Sequence, residues 1–378
     1  MIAPARWSVA AGSGLLLSLT ALVPLAAAAE APVPAVTAVT RASWSTGGGA
    51  AGVEPSPARA AVERAIDPTD YQCGRTAFDT YIDGLIASIS DEDFAFLIGH
   101  LEMLDIPTYD ALVFARPGDS FYELTTHAAQ LTKTFRDVKR FWDIDAADIQ
   151  LQAMHGATLL DAAKVTRTLA VYYDVPESLV AGYAKEIADY VNADKAAGGR
   201  FYDNPLFTLN AFAFSGEGEA PPFDTIPDKL IFGDGLLAAF DTIGLGDVGP
   251  RVVMGHEFGH HIQFEQGLFA TDPPLPAPEA TRRTELMADA FAAYFGTHKR
   301  GLALNAKRVV DALQSFYVVG DCQFDNPGHH GTPNQRLRAA QWGASVAQAA
   351  APRSMILGSL AFAGLFEATL PTLIAPDA

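Results

Sequence analysis

A chain of 378 residues with 49% hydrophobic and 19% charged content can build one large or two modest globular domains. Its formal charge of −18, from 26 Lys and Arg against 44 Asp and Glu, disfavours a general nucleic-acid binder, which needs basic side chains to neutralise phosphate. The same charge disfavours adsorption to anionic membrane surfaces, and two cysteines without a CxxC pair cannot form a cysteine-rich zinc module.

The first residues have the layout of a secretory signal: Arg6, an apolar stretch from Val9 to Leu25, then small residues before Glu30. Gly12, Gly14 and Pro24 weaken the alternative, an uncleaved anchor near the lower length limit for spanning. Residues 1–29 are therefore read as a signal peptide, with an exported product, secreted or in the cell envelope, and no stable membrane insertion after cleavage. Residues 30–66, with "STGGGAAG" and "EPSPARAA", lack apolar patterning and read as a disordered linker. Export makes Cys73 and Cys322 a candidate disulfide; in a reducing compartment they would be two buried thiols.

Residues 67–145 read as a helical N-terminal region, with helical apolar spacing over 76–104 and 119–142. Its role as pro-segment, substrate-side subdomain or packing element stays open. Next, 148–156 alternates like a strand, 157–175 reads as an amphipathic helix, and Pro176 sits in the first turn of another reaching about Lys195. Residues 205–216 and 228–235 read as strands. Helical patterns follow at 235–243, 249–266, 281–300, 302–319 and 333–349. "MILGSLAFAGLF" is too short to span a bilayer and reads as a core helix. The fold class expected is α+β, mostly helical with a small sheet, and a catalytic domain over 146–378.

"GHEFGHHIQ" at 255–263 carries the chemistry. On a helix, i and i+4 share a face, so His256 and His260 project their imidazoles to one side as ligands of one metal ion must. Glu257, one position on, is placed for a metal-activated water rather than the metal. A catalytic zinc needs a third protein ligand. The long zincin pattern would put a Gly and a third His where Gln263 and Gln266 stand, which excludes that class. Glu265 lies about half a turn off the ligand face. Glu285, in "RTELMADAFAAYF" 25 residues beyond His260, is the better third ligand. Asp289, one turn on, can accept the outer N–H of a ligand histidine and fix its tautomer. His261, about 140° from the ligand face, reads as a packing residue or outer partner. His100, His127 and His298 read as structural or surface residues, and His155 has no assigned role. The bland alternative is a chance His-Glu-x-x-His on an ordinary helix.

With these residues the chain resembles the gluzincin metallopeptidases and, more narrowly, is similar to the bacterial neutral zinc metallopeptidases. The likeness is carried by "VVMGHEFGHHIQ" (252–263), "TELMADAFAAYF" (284–295) and "VVGDCQFDNPGHHGTPNQR" (318–336). The last is similar to that family's Gly-Asp and His-Gly-Thr/Ser-x-Gln-Arg segment. The resemblance covers roughly 228–345 and leaves the N-terminal third without a counterpart. A weaker likeness to thermolysin-type enzymes lies in "NAF" (210–212) and "FGDG" (232–235). It implies that the backbone of Asn210 and Ala211 pairs with an extended peptide, the alternative being an ordinary hairpin. The His-Gly-Thr segment makes His330, beside His329, a candidate for stabilising an oxyanion, or else a loop histidine capping the next helix. Tyr202 and Tyr294 are the other donors considered. Together the resemblance implies a zincin-like metallopeptidase with one Zn2+ per chain on His256, His260 and Glu285. Glu257 is then the general base and a peptide or protein the substrate. The rival expectation is a zinc-binding cell-envelope protein without peptidase turnover, although a structural site has no need of Glu257.

Overall fold

The computed structural model describes residues 75–321, 324, 326–350 and 355–375. The segments read as signal peptide (1–29) and linker (30–66), and both cysteines, lie outside the described residues. Among the described residues the chain is mostly helical, with one small mixed sheet.

The expected helical run over 76–104 is two helices. α1 (Ala77–Ala87) starts at a Thr76–Asp79 capping box, and α2 (Asp91–Gly99) restarts at Ser90, whose hydroxyl accepts from Asp93 N–H. α3 (Ile106–Phe114) follows and is buried along nearly its whole length. It has no polar face, so apolar periodicity did not mark it. α4 (Ala128–Phe141) begins later than its apolar pattern, because residues 120–122 form only one 3-10 turn. β1 (Gln150–Met154) leads through a 3-10 turn to α5 (Ala162–Tyr173), capped by Asp161, and α6 (Glu177–Ala196).

β2 (Ala211–Phe214) and β3 (Lys229–Gly233) complete the sheet in the order β1-β3-β2. β3 runs parallel to β1, with Gln150 opposite Lys229, and antiparallel to β2, with Ala211 opposite Phe232. β2 is shorter than the expected 205–216 strand, since Asn204 caps a 3-10 turn over Pro205–Thr208. The remaining helices are α7 (Asp234–Thr242), α8 (Gly249–Glu265), α9 (Ala277–Thr297), α10 (Ala306–Val318), α11 (Pro333–Ala350) and α12 (Ser359–Leu373). Among the described residues no helix is long and apolar enough to cross a membrane.

The packing runs without a seam across residues 145–146. Leu131, Val138, Phe141 and Trp142, from α4 and its end, share a core with Phe258 of α8, Phe291 and Tyr294 of α9, and Phe362 of α12. Each such side chain contributes about 1.5–3 kcal/mol by leaving water. The sheet is tied to α3 by Lys229, which is fully buried and donates to the carbonyls of Ala111, Leu112 and Ala115 at 3.3, 2.6 and 3.0 Å. The ammonium thus gathers the carbonyls at the end of α3, of which Ala111 O also accepts from Ala115 N–H. Burial, with the nearby Arg116 charge, pushes it down to about 7.

Candidate metal centre

α8 and α9 form the site because glycine lets them approach. A Cβ on Gly255 would lie 3.1 Å from Ala292 Cα, and one on Gly259 would lie 3.0 Å from Ala288 Cα. The small residues of "GHEFG" therefore face the alanines of α9, and His256 between them, with His260 directly after, is carried to the level of Glu285. α8 ends at Gly267, with φ of 63°; Leu268 N–H bonds Gln263 O at 2.9 Å and Gly267 N–H bonds Phe264 O at 3.1 Å. That is a Schellman-type stop, in which glycine takes the left-handed position at no steric cost.

The ligand atoms converge. His256 Nε2 and His260 Nε2 are 3.1 Å apart, and each lies 3.2 Å from a carboxylate oxygen of Glu285. His256 and Glu285 are buried, 7% and 2% exposed, and His260 is half-buried. This buried group could hold a metal ion. Burial alone would lower His256, but its bonds to Asp289 and Glu285 outweigh that and push it up to about 10. His260 is raised as well, against its burial, chiefly by the Glu285 charge. Glu285 is held well below the usual carboxylate range: burial opposes this, and the charges of His260 and His330 with both imidazole bonds overcome it.

The outer nitrogen of each ligand ring is also engaged. His256 Nδ1 lies 2.8 Å from Asp289 Oδ1, and His260 Nδ1 lies 2.8 Å from Gln263 Oε1. Gln263 is in turn anchored by donating Nε2–H to Thr284 O at 2.7 Å. A ring donating from Nδ1 presents Nε2 as its lone pair, the form a metal requires. Asp289, fully buried, accepts from Arg336 of α11 through both oxygens, at 2.8 and 2.7 Å. Glu257 is buried at 6% exposed and lies close enough to bear electrostatically on His260.

The segment between α10 and α11 brings His330 towards the site: its neighbour Gly331 lies against α9, where an added Cβ would stand 3.1 Å from Leu286 Cδ2, one residue from Glu285. Asp321 holds His330, accepting from its N–H at 2.8 Å and pairing with Nδ1 at 3.1 Å. The other oxygen of Asp321 takes His329 Nδ1 at 2.6 Å. These bonds, opposing the effect of burial, hold the Asp321 carboxyl far below its ordinary range, so it stays ionised.

Other residues singled out in the sequence lie elsewhere or are turned away. Asn210 O accepts from Gly233 N–H at 2.9 Å, so its carbonyl is committed to β3. Alternation along an antiparallel pair then turns the backbone groups of Ala211 to the outer edge of β2. Of the two residues expected to pair with a peptide, Ala211 and not Asn210 faces outward. Tyr294 hydroxyl accepts from Leu357 N–H at 3.0 Å and is spent on the approach to α12. Tyr202 sits in the 3-10 turn after α6, its ring under Lys195 Nζ. His261 packs α8 onto the sheet, with Nε2 3.0 Å from Lys229 O and Nδ1 3.1 Å from Asp228. His155 pairs with Asp234 and Glu123 O, tying β1 to the start of α7. Sequence reasoning missed Asp321, Gln263 and Arg336 as parts of the site. The "GD" and "QR" of the 318–336 segment were the available signal for two of them.

No family model, curated protein or solved structure matches the chain. The family resemblance therefore rests on the motif residues themselves.

Proposed function

We propose that the protein is an exported zinc metallopeptidase with a zincin-like catalytic domain, hydrolysing peptide bonds with one Zn2+ per chain on His256, His260 and Glu285. The carrying observation is the convergence of the donors: His256 Nε2 and His260 Nε2 stand 3.1 Å apart, and the Glu285 carboxylate faces them with Oε2 3.2 Å from the first and Oε1 3.2 Å from the second. Tetrahedral zinc with bonds of about 2.0–2.1 Å puts its ligand atoms roughly 3.3 Å apart. Two imidazoles and one carboxylate are also the donor set of a catalytic rather than a structural zinc.

Zinc bound there would supply Lewis acidity to a water and to the scissile carbonyl. Glu257 takes the proton from the attacking water and delivers it to the leaving amine. Asp289 and Gln263 hold the two rings in the tautomer that offers Nε2. His330, its Nδ1 engaged by Asp321, donates from Nε2 to the developing oxyanion. The outer edge of β2 at Ala211 offers backbone groups to an extended peptide.

The test is hydrolysis of a mixed peptide library, read by mass spectrometry, with Glu257→Gln as control. Cleavage by the wild type that falls by about 10²–10⁴-fold in zinc-loaded Glu257→Gln supports the reading. Equal cleavage by both, or a zinc-loaded wild type that cleaves nothing, contradicts it; the second outcome favours a zinc-binding envelope protein.

A further inference from the structure

Arg336 is 4% exposed on α11, and its guanidinium makes a two-point contact with Asp289, Nε to Oδ2 at 2.8 Å and Nη2 to Oδ1 at 2.7 Å. The same Oδ1 is the atom that takes His256 Nδ1 at 2.8 Å. Nη2 stands 3.8 Å from Glu285 Oε2, and Nη1 donates to Val319 O at 3.4 Å. A buried ion pair of this kind is a weak source of stability, since apolar side chains of similar volume often serve as well. What apolar side chains cannot do is hold a carboxylate oxygen against the outer nitrogen of a ligand histidine.

We propose that Arg336 is a positioning residue of the metal centre. Its planar fork fixes the plane of the Asp289 carboxylate, and Asp289 in turn fixes the tautomer and orientation of His256. Through Val319 O it also anchors the start of the segment that brings Asp321 and His330 to the site. Three helices are thereby registered on one atom: α8 supplies His256, α9 supplies Asp289 Oδ1, and α11 supplies the guanidinium. Lysine keeps the charge at this position but offers a point donor, so it restores attraction without fixing the carboxylate plane. The inference rests on the metal-centre reading above.

The experiment measures Zn2+ affinity by competition with a chromophoric chelator, and the visible d–d spectrum after Co2+ loading. It uses the mature protein as wild type, Arg336→Met, Arg336→Lys, Asp289→Asn and the double variant Arg336→Met/Asp289→Asn. Far-UV circular dichroism of the metal-free forms monitors the fold. Arg336→Met is expected to bind Zn2+ about 10–100-fold more weakly and to shift the cobalt band. Arg336→Lys recovers part of the loss, and the double variant binds no more weakly than Asp289→Asn alone. An Arg336→Met protein with wild-type affinity and spectrum overturns the proposal and leaves the metal centre standing. So do losses that add independently in the double variant. Should Arg336→Met fail to fold, the comparison of the double variant with Asp289→Asn decides: equality supports the relay, a further loss overturns it. A wild type that takes up neither metal overturns both this inference and the metal-centre reading.

Discussion

Asp289 holds His256: the carboxylate oxygen Oδ1 lies 2.8 Å from the imidazole Nδ1, and both residues are buried. His260 is held differently, by the neutral amide of Gln263 at 2.8 Å. A hydrogen bond to a carboxylate is roughly twice as strong as one between neutral groups. The two rings of one centre are therefore secured unequally, and the difference is measurable.

Asp289→Asn is expected to weaken Zn2+ binding by about 10–100-fold, and Gln263→Ala by less. Chelator competition on the two variants checks the order. A larger loss in Gln263→Ala would mean that Asp289 serves the helix packing and not the ligand.

Protons and metal compete for His256. Its metal-free form is pushed up to about 10, because its bonds to Asp289 and Glu285 outweigh the burial that would lower it. Metal must displace that proton, so Zn2+ affinity should climb about tenfold per pH unit from pH 7 toward 10. The stability of the metal-free protein follows the opposite course. The folded-state value is raised, so the contribution is complete below about 6.5, the ordinary histidine value, and lost as pH rises through about 10. Thermal melts with and without chelator across this range should diverge as pH increases. An affinity independent of pH would contradict the metal-free protonation described here.

Gly259 sets the spacing of α8 and α9. A methyl group there would stand 3.0 Å from Ala288 Cα and 3.3 Å from its Cβ, so the helices must separate. Overpacking of this kind costs about 1–3 kcal/mol, while alanine in a helix interior regains about 1 kcal/mol over glycine. Gly259→Ala should therefore change the melting temperature little and weaken metal binding clearly, since the ligands sit on opposite sides of the widened gap. Unchanged affinity would show that α8 and α9 absorb the methyl group without moving the ligands.

The His256–His260–Glu285 group was legible because its spacings are local. The i, i+4 pairs His256–His260 and Glu285–Asp289 each need only a helix to share a face, and the structure forms both helices. What brings Glu285 to the histidines is the Gly255–Ala292 and Gly259–Ala288 approach; each helix spaces its small residues four apart, but which helix faces which is decided only by the packing. Asp321 and Arg336 reach the site through the packing of the 319–332 segment and α11, a relation that exists only in three dimensions. α3 escaped for a different reason: buried on all sides, it has no polar face to give it a period. β2 was overextended because the apolar residues of "PLFTLNAFAF" continue on both sides of Asn210, while Pro205 and Asn204 turn its first half into a 3-10 helix. The Asn210 assignment depended on which way a carbonyl points, and that is decided by register with Gly233.

The most direct test of the central claim is elemental analysis of the purified protein beside His256→Ala and Glu285→Ala. The account predicts about one zinc per wild-type chain, lost or sharply weakened in both variants. Zinc retained by Glu285→Ala would remove the third ligand, and a wild type without zinc after supplementation and dialysis would contradict the metal centre itself.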